Sequence, residues 1–237
     1  MLGLNPIITK ALGYTRVSNR VSVEIANDAP YGRLCSYFFA DVTHPDQLPS
    51  PLSQSALQNP DGREFRRWVA ANGGVPIGTS WIEVSIQNSY DATVLLVGAR
   101  LEPQTMGHRS GISVSNQSGG PIEGFRMDAS LRTGEIVCHS HDSNLIAKEL
   151  IPIKFRIEKG KSELFNIFTT DDRKSPGQSA TVWQLKFDFV VDGHRLTKLL
   201  TQPDGSLFAT VPSNYFGITE KFLVHNDGLC RAQDWTP

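Results

Sequence analysis

The stretch WQLKFDFVVDGHRLTKLL, Trp183 to Leu200, decides the fold class of this sequence. Apolar and polar residues alternate strictly from Trp183 to Phe189, and this period of two is typical of a β-strand with one buried face. Asp192-Gly193 follows the strand pattern, and both positions of such a pair tolerate positive φ, which favours a two-residue turn. The stretch therefore predicts an antiparallel β-hairpin.

Similar strand patterns recur along the chain. Residues alternate in VSVEIA (Val21–Ala26), WIEVSIQ (Trp81–Gln87) and IPIKFRIE (Ile151–Glu158). The apolar run in TVLLVGARLE (Thr93–Glu102) suits a central strand covered on both faces. Roughly ten strand patterns at short spacing, joined by turn signals such as Pro203-Asp204-Gly205, favour an all-β antiparallel sandwich. An Ig-like and a jelly-roll-like strand order both fit this pattern.

One short α-helix is predicted near residues 61–72. Asp61 can accept hydrogen bonds from the first-turn amides, and Glu64, three residues later, fits a capping box. An Asn-Gly-Gly run starting at residue 72 supplies the stop. Three apolar residues share one helix face: Phe65, Trp68 and Val69. We expect this face to dock on a sheet, with a partner-binding helix as the alternative.

The proline-rich stretch THPDQLPSPLSQSALQNP, Thr43 to Pro60, separates the first strands from the helix. Its prolines make regular pairing improbable, so a surface loop is predicted. We divide the chain into an N-terminal extension, 1–60, with two strands and this loop, a sandwich domain, 61–225, and an irregular tail, 226–237.

The stretch VCHSHDSN, Val137 to Asn144, concentrates chemically active side chains. His139, His141 and Asp142 are the candidate metal ligands, because imidazole and carboxylate groups bind zinc. In an extended segment Cys138 lies on the opposite face, and no second ligand pair completes a tetrahedral set. Asp, Ser and Asn are turn formers, so a turn is the favoured interpretation.

Motifs for other chemistry are absent from the sequence. No Gly-x-Ser-x-Gly elbow occurs, and SGGPIEG (Ser118–Gly124) fits neither a Walker motif nor a dinucleotide fingerprint. The pair Asp171-Asp172 is read as turn chemistry rather than as catalytic carboxylates. We therefore expect no catalytic residue and no cofactor.

Composition limits the range of partners. The 237 residues include 23 basic and 24 acidic ones, for a formal charge of -1, so nucleic acid is not an expected partner. The apolar run MLGLNPIITKALGY is interrupted by Asn5, Pro6 and Lys10, so membrane insertion is not expected. Three widely spaced cysteines suit a reducing compartment, and hence a cytoplasmic location. An extracellular domain of a longer anchored protein is the alternative.

The order of these segments from about residue 67 to 215 resembles a known group. WVAANGGVPIGTSWIEVSIQN, TVLLVGARLEP, ELFNIFTTDD, WQLKFDFVVDGHRLTKLL and PDGSLFATVP together resemble uncharacterised actinobacterial Ig-like β-sandwich proteins. Members of that group generally carry the sandwich behind a hydrophobic anchor, which this sequence does not show. The resemblance implies a sandwich fold and supplies no catalytic motif.

A patterned core without concentrated chemistry favours a non-catalytic protein-interaction module, a component of a larger assembly that could include copies of this chain. The partner-binding candidates come from the proline-rich loop and the helix: Leu48, Pro49, Pro51, Leu52, Arg66 and Arg67. One alternative is an enzyme or carbohydrate-binding domain with a strand-assembled, metal-dependent site. A second is a structural subunit of a virion or an injection machine.

Overall fold

The computed structural model describes residues 20–26, 36–59, 62–116, 125–141, 147–171, 179–225 and 227–232. Within these ranges the chain is mostly β-strand and forms one six-stranded and two five-stranded sheets. The strands are β1 Val21–Ile25, β2 Ser36–Ala40, β3 Val75–Pro76, β4 Thr79–Asn88, β5 Val94–Thr105, β6 Gly111–Ser115, β7 Phe125–Ser130, β8 Ile136–His141, β9 Ala147–Ile151, β10 Phe155–Ile157, β11 Ser162–Thr170, β12 Thr181–Val191, β13 His194–Leu200, β14 Phe208–Thr210, β15 Ile218–His225 and β16 Gly228–Arg231. The helices are α1 Gln54–Gln58 and α2 Arg63–Ala71, preceded by a 3₁₀ turn at Pro45–Gln47.

Two of the sheets form the sandwich. The first has the order β1-β4-β11-β7-β8-β9, and the second has the order β10-β5-β12-β13, with β14 also paired to β12. Their inner faces share one buried apolar core, which includes Val84, Ile86, Met127, Phe165, Ile167, Leu96, Leu185, Phe187, Phe189 and Val191. The all-β sandwich predicted from the alternating patterns is confirmed.

The predicted hairpin forms in the second sheet, where β12 and β13 pair antiparallel and are joined by a tight turn. Val191 pairs with His194, and the turn residues Asp192 and Gly193 have φ values of 49° and 77°. Two positive φ values are typical of the type I′ turn, whose twist matches that of the flanking strands. Every second residue of β12, starting at Thr181, is buried. The alternation in the sequence therefore corresponds to one core-facing side of the strand.

The third sheet and the helices were not predicted as a separate layer. This sheet has the order β16-β15-β6-β2-β3. One of its faces packs against α1 and α2 through Tyr37, Phe39, Ile112, Val114 and Phe222. On the other face Phe38 packs edge-on against Tyr215, with ring centroids 5.2 Å apart. The third sheet thus links the helices to the rest of the molecule.

The predicted helix is confirmed at Arg63–Ala71, and its apolar face is buried against the third sheet. The described N-cap residue of this helix is Gly62, which makes no side-chain cap. Asp61 lies outside the described residues, and the Glu64 carboxylate instead accepts a hydrogen bond from the Ser55 hydroxyl of α1. This bond joins the two helices, which also pack together through buried apolar residues.

Two predictions of irregular structure were wrong. Part of the proline-rich loop is the helix α1, because the Ser53 hydroxyl caps its first turn and Ala56 and Leu57 are buried. Part of the tail 226–237 is the strand β16, which pairs with β15. Gly228 has a φ of 141°, and this conformation allows the tight return between the two strands.

Strand pairing also crosses the predicted domain boundary at residue 60. From the extension 1–60, β1 pairs with β4 in the first sheet, and β2 pairs with β3 and β6 in the third. The pairs β7–β11 and β6–β15 are parallel, whereas the other pairs between named strands in the described ranges are antiparallel. Parallel neighbours require long connections, which local sequence patterns do not identify.

Candidate partner-binding groove

A groove lies between the proline-rich segment, the helices and the β15–β16 hairpin. Its volume is about 600 Å³. The proline-rich segment contributes His44, Pro45, Asp46, Leu48, Ser50, Pro51 and Leu52, the helices contribute Leu57 and Trp68, and the hairpin contributes Asp227, Gly228 and Leu229. The groove is therefore assembled from two regions that are distant in sequence, residues 44–68 and 227–229.

Hydrogen bonds fix the start of the proline-rich segment. The Gln47 Oε1 atom accepts from the backbone N–H of Thr43 at 2.7 Å and from that of His44 at 3.2 Å. The His44 Nδ1 atom accepts from the backbone N–H of Asp46 at 3.4 Å. These reciprocal bonds form a capping box around the 3₁₀ turn, in which two otherwise unpaired backbone donors are satisfied.

The middle of the segment is attached to α2. The Trp68 indole N–H donates to the Ser50 carbonyl at 2.9 Å, and the Ser50 N–H donates to the Asn72 Oδ1 atom at 2.9 Å. The Asn72 amide also donates to the Ser50 carbonyl at 3.2 Å. A segment held in this way loses little conformational entropy when a ligand binds, which favours affinity.

Apolar side chains form the floor of the groove. Leu57 and Trp68 are buried, with 7% and 6% of their surface exposed. Leu48, Leu52 and Leu229 are half-buried and pack against the core between the helices and the third sheet. The floor thus offers an apolar contact surface whose side chains are packed against the core.

Carboxylates form the rim. The side chains of Asp46 and Asp227 are 89% and 93% exposed. A histidine stands beside each: His44 Nδ1 is 3.1 Å from Asp46 Oδ2, and His225 Nδ1 is 3.6 Å from Asp227 Oδ2. The lining contains neither lysine nor arginine among the described residues. The rim is consequently acidic.

Three of the predicted partner-binding residues line the groove: Leu48, Pro51 and Leu52. Pro49 is exposed and lies outside the lining. Arg66 and Arg67 are on α2, where Arg66 is half-buried and Arg67 exposed, and neither lines the groove. Sequence reasoning missed the Asp227–Leu229 hairpin, although an Asp-Gly pair followed by a leucine is a turn-and-strand signal.

Two of the predicted metal candidates, His139 and His141, lie on β8 in the first sheet, away from the groove. Residues 139–141 belong to β8, so the preferred interpretation of this segment as a turn was wrong for them. The His139 Nε2 atom is 2.9 Å from Asp128 Oδ2, and Arg126 Nε is 3.0 Å from Asp128 Oδ1. The side chain of His141, and Asp142, lie outside the described residues.

The contacts of His139 are those of a structural ion-pair cluster. The Arg126 guanidinium lies 4.7 Å from the centroid of the Phe168 ring, in a cation–π arrangement. The Asp128 carboxylate lies between the two side chains, with Oδ1 next to the Arg126 guanidinium and Oδ2 next to the His139 imidazole. In the part of the chain that the structure describes, no group of three or more His, Cys, Asp or Glu residues is placed to hold a metal ion.

Cys138 lies on the opposite face of β8 from His139, as the alternation predicts. Its thiol is 1% exposed, and burial raises the pKa of this thiol to about 11. Only the thiolate is nucleophilic, so a pKa about two units above that of an ordinary cysteine reduces reactivity about 100-fold. Cys138 is therefore an unreactive residue of the sandwich core.

We expect iodoacetamide at pH 8 to modify Cys230 at least about 100-fold faster than Cys138, because Cys230 is only half-buried and Cys138 is buried with a raised pKa. Peptide mass spectrometry of a time course measures both rates. In guanidinium the two rates should converge, and comparable rates in the folded protein would contradict the assignment of Cys138 to the core.

Comparisons with known proteins add no identification. Within the described ranges, no helix combines the length and the apolar composition needed to cross a membrane. No family model matches the chain, and no curated protein is significantly similar to it in sequence.

Proposed function

We propose that this chain is a non-catalytic protein-interaction module that binds a segment of a partner protein in the groove. The observation that carries the proposal is the groove itself, a concave surface of about 600 Å³ whose apolar floor is anchored in a core. Ligand-binding clefts in proteins typically have volumes of about 300 to 1,000 Å³. An extended peptide with one or two apolar side chains is a ligand of suitable size.

The chemistry of the lining supports binding rather than catalysis. His44 Nδ1 lies 3.1 Å from the Asp46 carboxylate, and Ser50 is also in the lining. A nucleophile and its base are expected within hydrogen-bonding reach. Among the hydrogen bonds of the described residues, none joins the Ser50 hydroxyl to the His44 ring. The imidazole instead caps the 3₁₀ turn.

A cytoplasmic location, an Ig-like strand order and membership of a larger assembly belong to the same proposal. The two described cysteines, Cys138 and Cys230, are free thiols, which supports a reducing compartment. The shared core of two facing sheets supports an Ig-like sandwich.

Point variants test the groove better than a deletion does. Removing residues 48–55 would delete the Ser50 carbonyl that accepts from Trp68 and the Ser53 hydroxyl that caps α1. Such a deletion would disturb the fold and would not isolate the contribution of the groove.

We expect Pro51→Lys to reduce partner capture at least about tenfold, because Pro51 is exposed in the lining and a charged side chain there would be buried by a ligand. The double variant Leu48→Ser, Leu52→Ser should reduce capture similarly, because it removes two of the apolar side chains that form the floor. Tagged proteins are incubated with native lysate, and retained proteins are quantified by mass spectrometry.

The matched control is Val137→Lys with Leu199→Lys. Both residues are exposed apolar side chains on other sheets, 39% and 55% exposed. Circular dichroism and thermal unfolding establish that each variant is folded. Capture of an untagged copy of this chain would identify a homo-oligomer. Equal capture by the wild type, the control and both groove variants would contradict the proposal.

A further inference from the structure

We infer that the segment bound in the groove carries a large apolar side chain next to a lysine or arginine. This inference rests on the proposed function and adds the chemical class of the ligand. The apolar side chain would contact the floor, and the cationic side chain would lie beside Asp46 and Asp227.

The floor favours an apolar anchor. Leu48, Leu52 and Leu229 are each half-buried, so part of each side chain contacts the core while the rest faces the groove. Covering this surface with an apolar side chain removes it from water and stabilises the complex. The Trp68 indole N–H is already bonded to Ser50, so the polar end of this ring is satisfied without a ligand. A polar anchor would find few partners on the floor.

The rim favours a cation. Asp46 and Asp227 come from separate segments, and their carboxylates are 89% and 93% exposed. The side chains next to them are the imidazoles of His44 and His225. No lysine or arginine contributes to the described lining. Lysine and arginine on a ligand would therefore be attracted, and aspartate and glutamate repelled.

Charge complementarity separates a basic peptide from other occupants of an apolar groove. An anionic ligand, such as a phosphate ester or a fatty acid, would place its negative group near the two carboxylates and be disfavoured. A wholly apolar peptide could occupy the floor but would leave the rim unused. The basic-apolar peptide alone uses both the floor and the rim.

A displayed library of random twelve-residue peptides, selected at pH 7.5 against the full chain, tests the inference. We expect the selected peptides to be enriched in lysine or arginine within a few positions of a leucine, phenylalanine or tryptophan. A selected peptide, synthesised and titrated at low salt, should bind Asp46→Asn with Asp227→Asn about fivefold more weakly than the wild type, since exposed ion pairs contribute little each. The difference should shrink at 0.5 M salt, because salt screens exposed charges.

The matched control is Glu24→Gln with Glu158→Gln, which removes two exposed carboxylates at positions outside the groove lining. This control should bind the peptide as the wild type does. Groove-dependent peptides without basic enrichment, or equal binding by the Asp46→Asn, Asp227→Asn variant, would overturn the inference and leave the proposed function intact. Failure to select any peptide whose binding is weakened by Pro51→Lys would count against both.

Discussion

Replacing Trp183 with alanine is expected to lower the free energy of unfolding by about 4 kcal/mol, as is typical of a fully buried aromatic residue. Trp183 has no exposed surface, and its ring stacks on Phe208 with centroids 4.6 Å apart. Its indole N–H donates to the Thr210 hydroxyl at 3.1 Å, and the hydroxyl of Ser80 is also hydrogen-bonded to Thr210. The substitution thus creates a cavity and removes one bond of a buried polar cluster.

Equilibrium unfolding in urea measures this effect. The loss of unfolding free energy is calculated from the shift in the urea midpoint, with the same m-value for both proteins. Leu199→Ala is the control, because Leu199 is 55% exposed in the same sheet and its truncation should change stability by less than about 0.5 kcal/mol. A loss of less than about 1.5 kcal/mol for Trp183→Ala would contradict the position of Trp183 in the sandwich core.

Replacing Asn88 with alanine is expected to lower the free energy of unfolding by about 3 kcal/mol, because three backbone groups lose a hydrogen-bonding partner. The Asn88 side chain is fully buried. Its Nδ2 atom donates to the carbonyls of Ala92 and Ile157, each at 2.9 Å, and its Oδ1 atom accepts from the N–H of Tyr90 at 2.8 Å. One side chain therefore ties the turn after β4 to the end of β10.

Thermal and chemical unfolding measure the loss. Gln87→Ala is the matched control, since Gln87 is the exposed neighbour of Asn88 on the same strand. We expect this control to unfold within about 0.5 kcal/mol of the wild type. If both variants unfolded with the same midpoint, the hydrogen bonds of Asn88 would not be the stabilising feature that the structure indicates.

The strands of the sandwich could be predicted because their signal is local. In β12 the alternation itself specifies which side chains face the core, and the Asp-Gly pair specifies the turn. The apolar run of β5 indicated a strand but did not specify which of its faces is buried. This strand is central, between β10 and β12, but Leu95 and Val97 are 40% and 41% exposed, so the prediction that both faces are covered was wrong. An unbroken apolar run does not distinguish one buried face from two.

The third sheet and the groove could not be predicted because they depend on non-local pairing. β2, β6 and β15 are adjacent in this sheet but far apart in sequence. Leu48 and Leu52 were identified as surface candidates on the basis of their proline-rich surroundings. Their placement opposite Leu229 requires the β15–β16 hairpin, whose second strand lies in the predicted irregular tail 226–237. No local pattern specifies which distant segments meet.

The binding of a partner segment in the groove is tested most directly by calorimetric titration of a captured partner into the wild type and into folded Pro51→Lys protein. Because Pro51 is exposed, its replacement should affect the ligand more than the fold. We predict a dissociation constant at least about tenfold higher for the variant, equivalent to about 1.4 kcal/mol of binding free energy. An unchanged dissociation constant would show that the partner binds elsewhere.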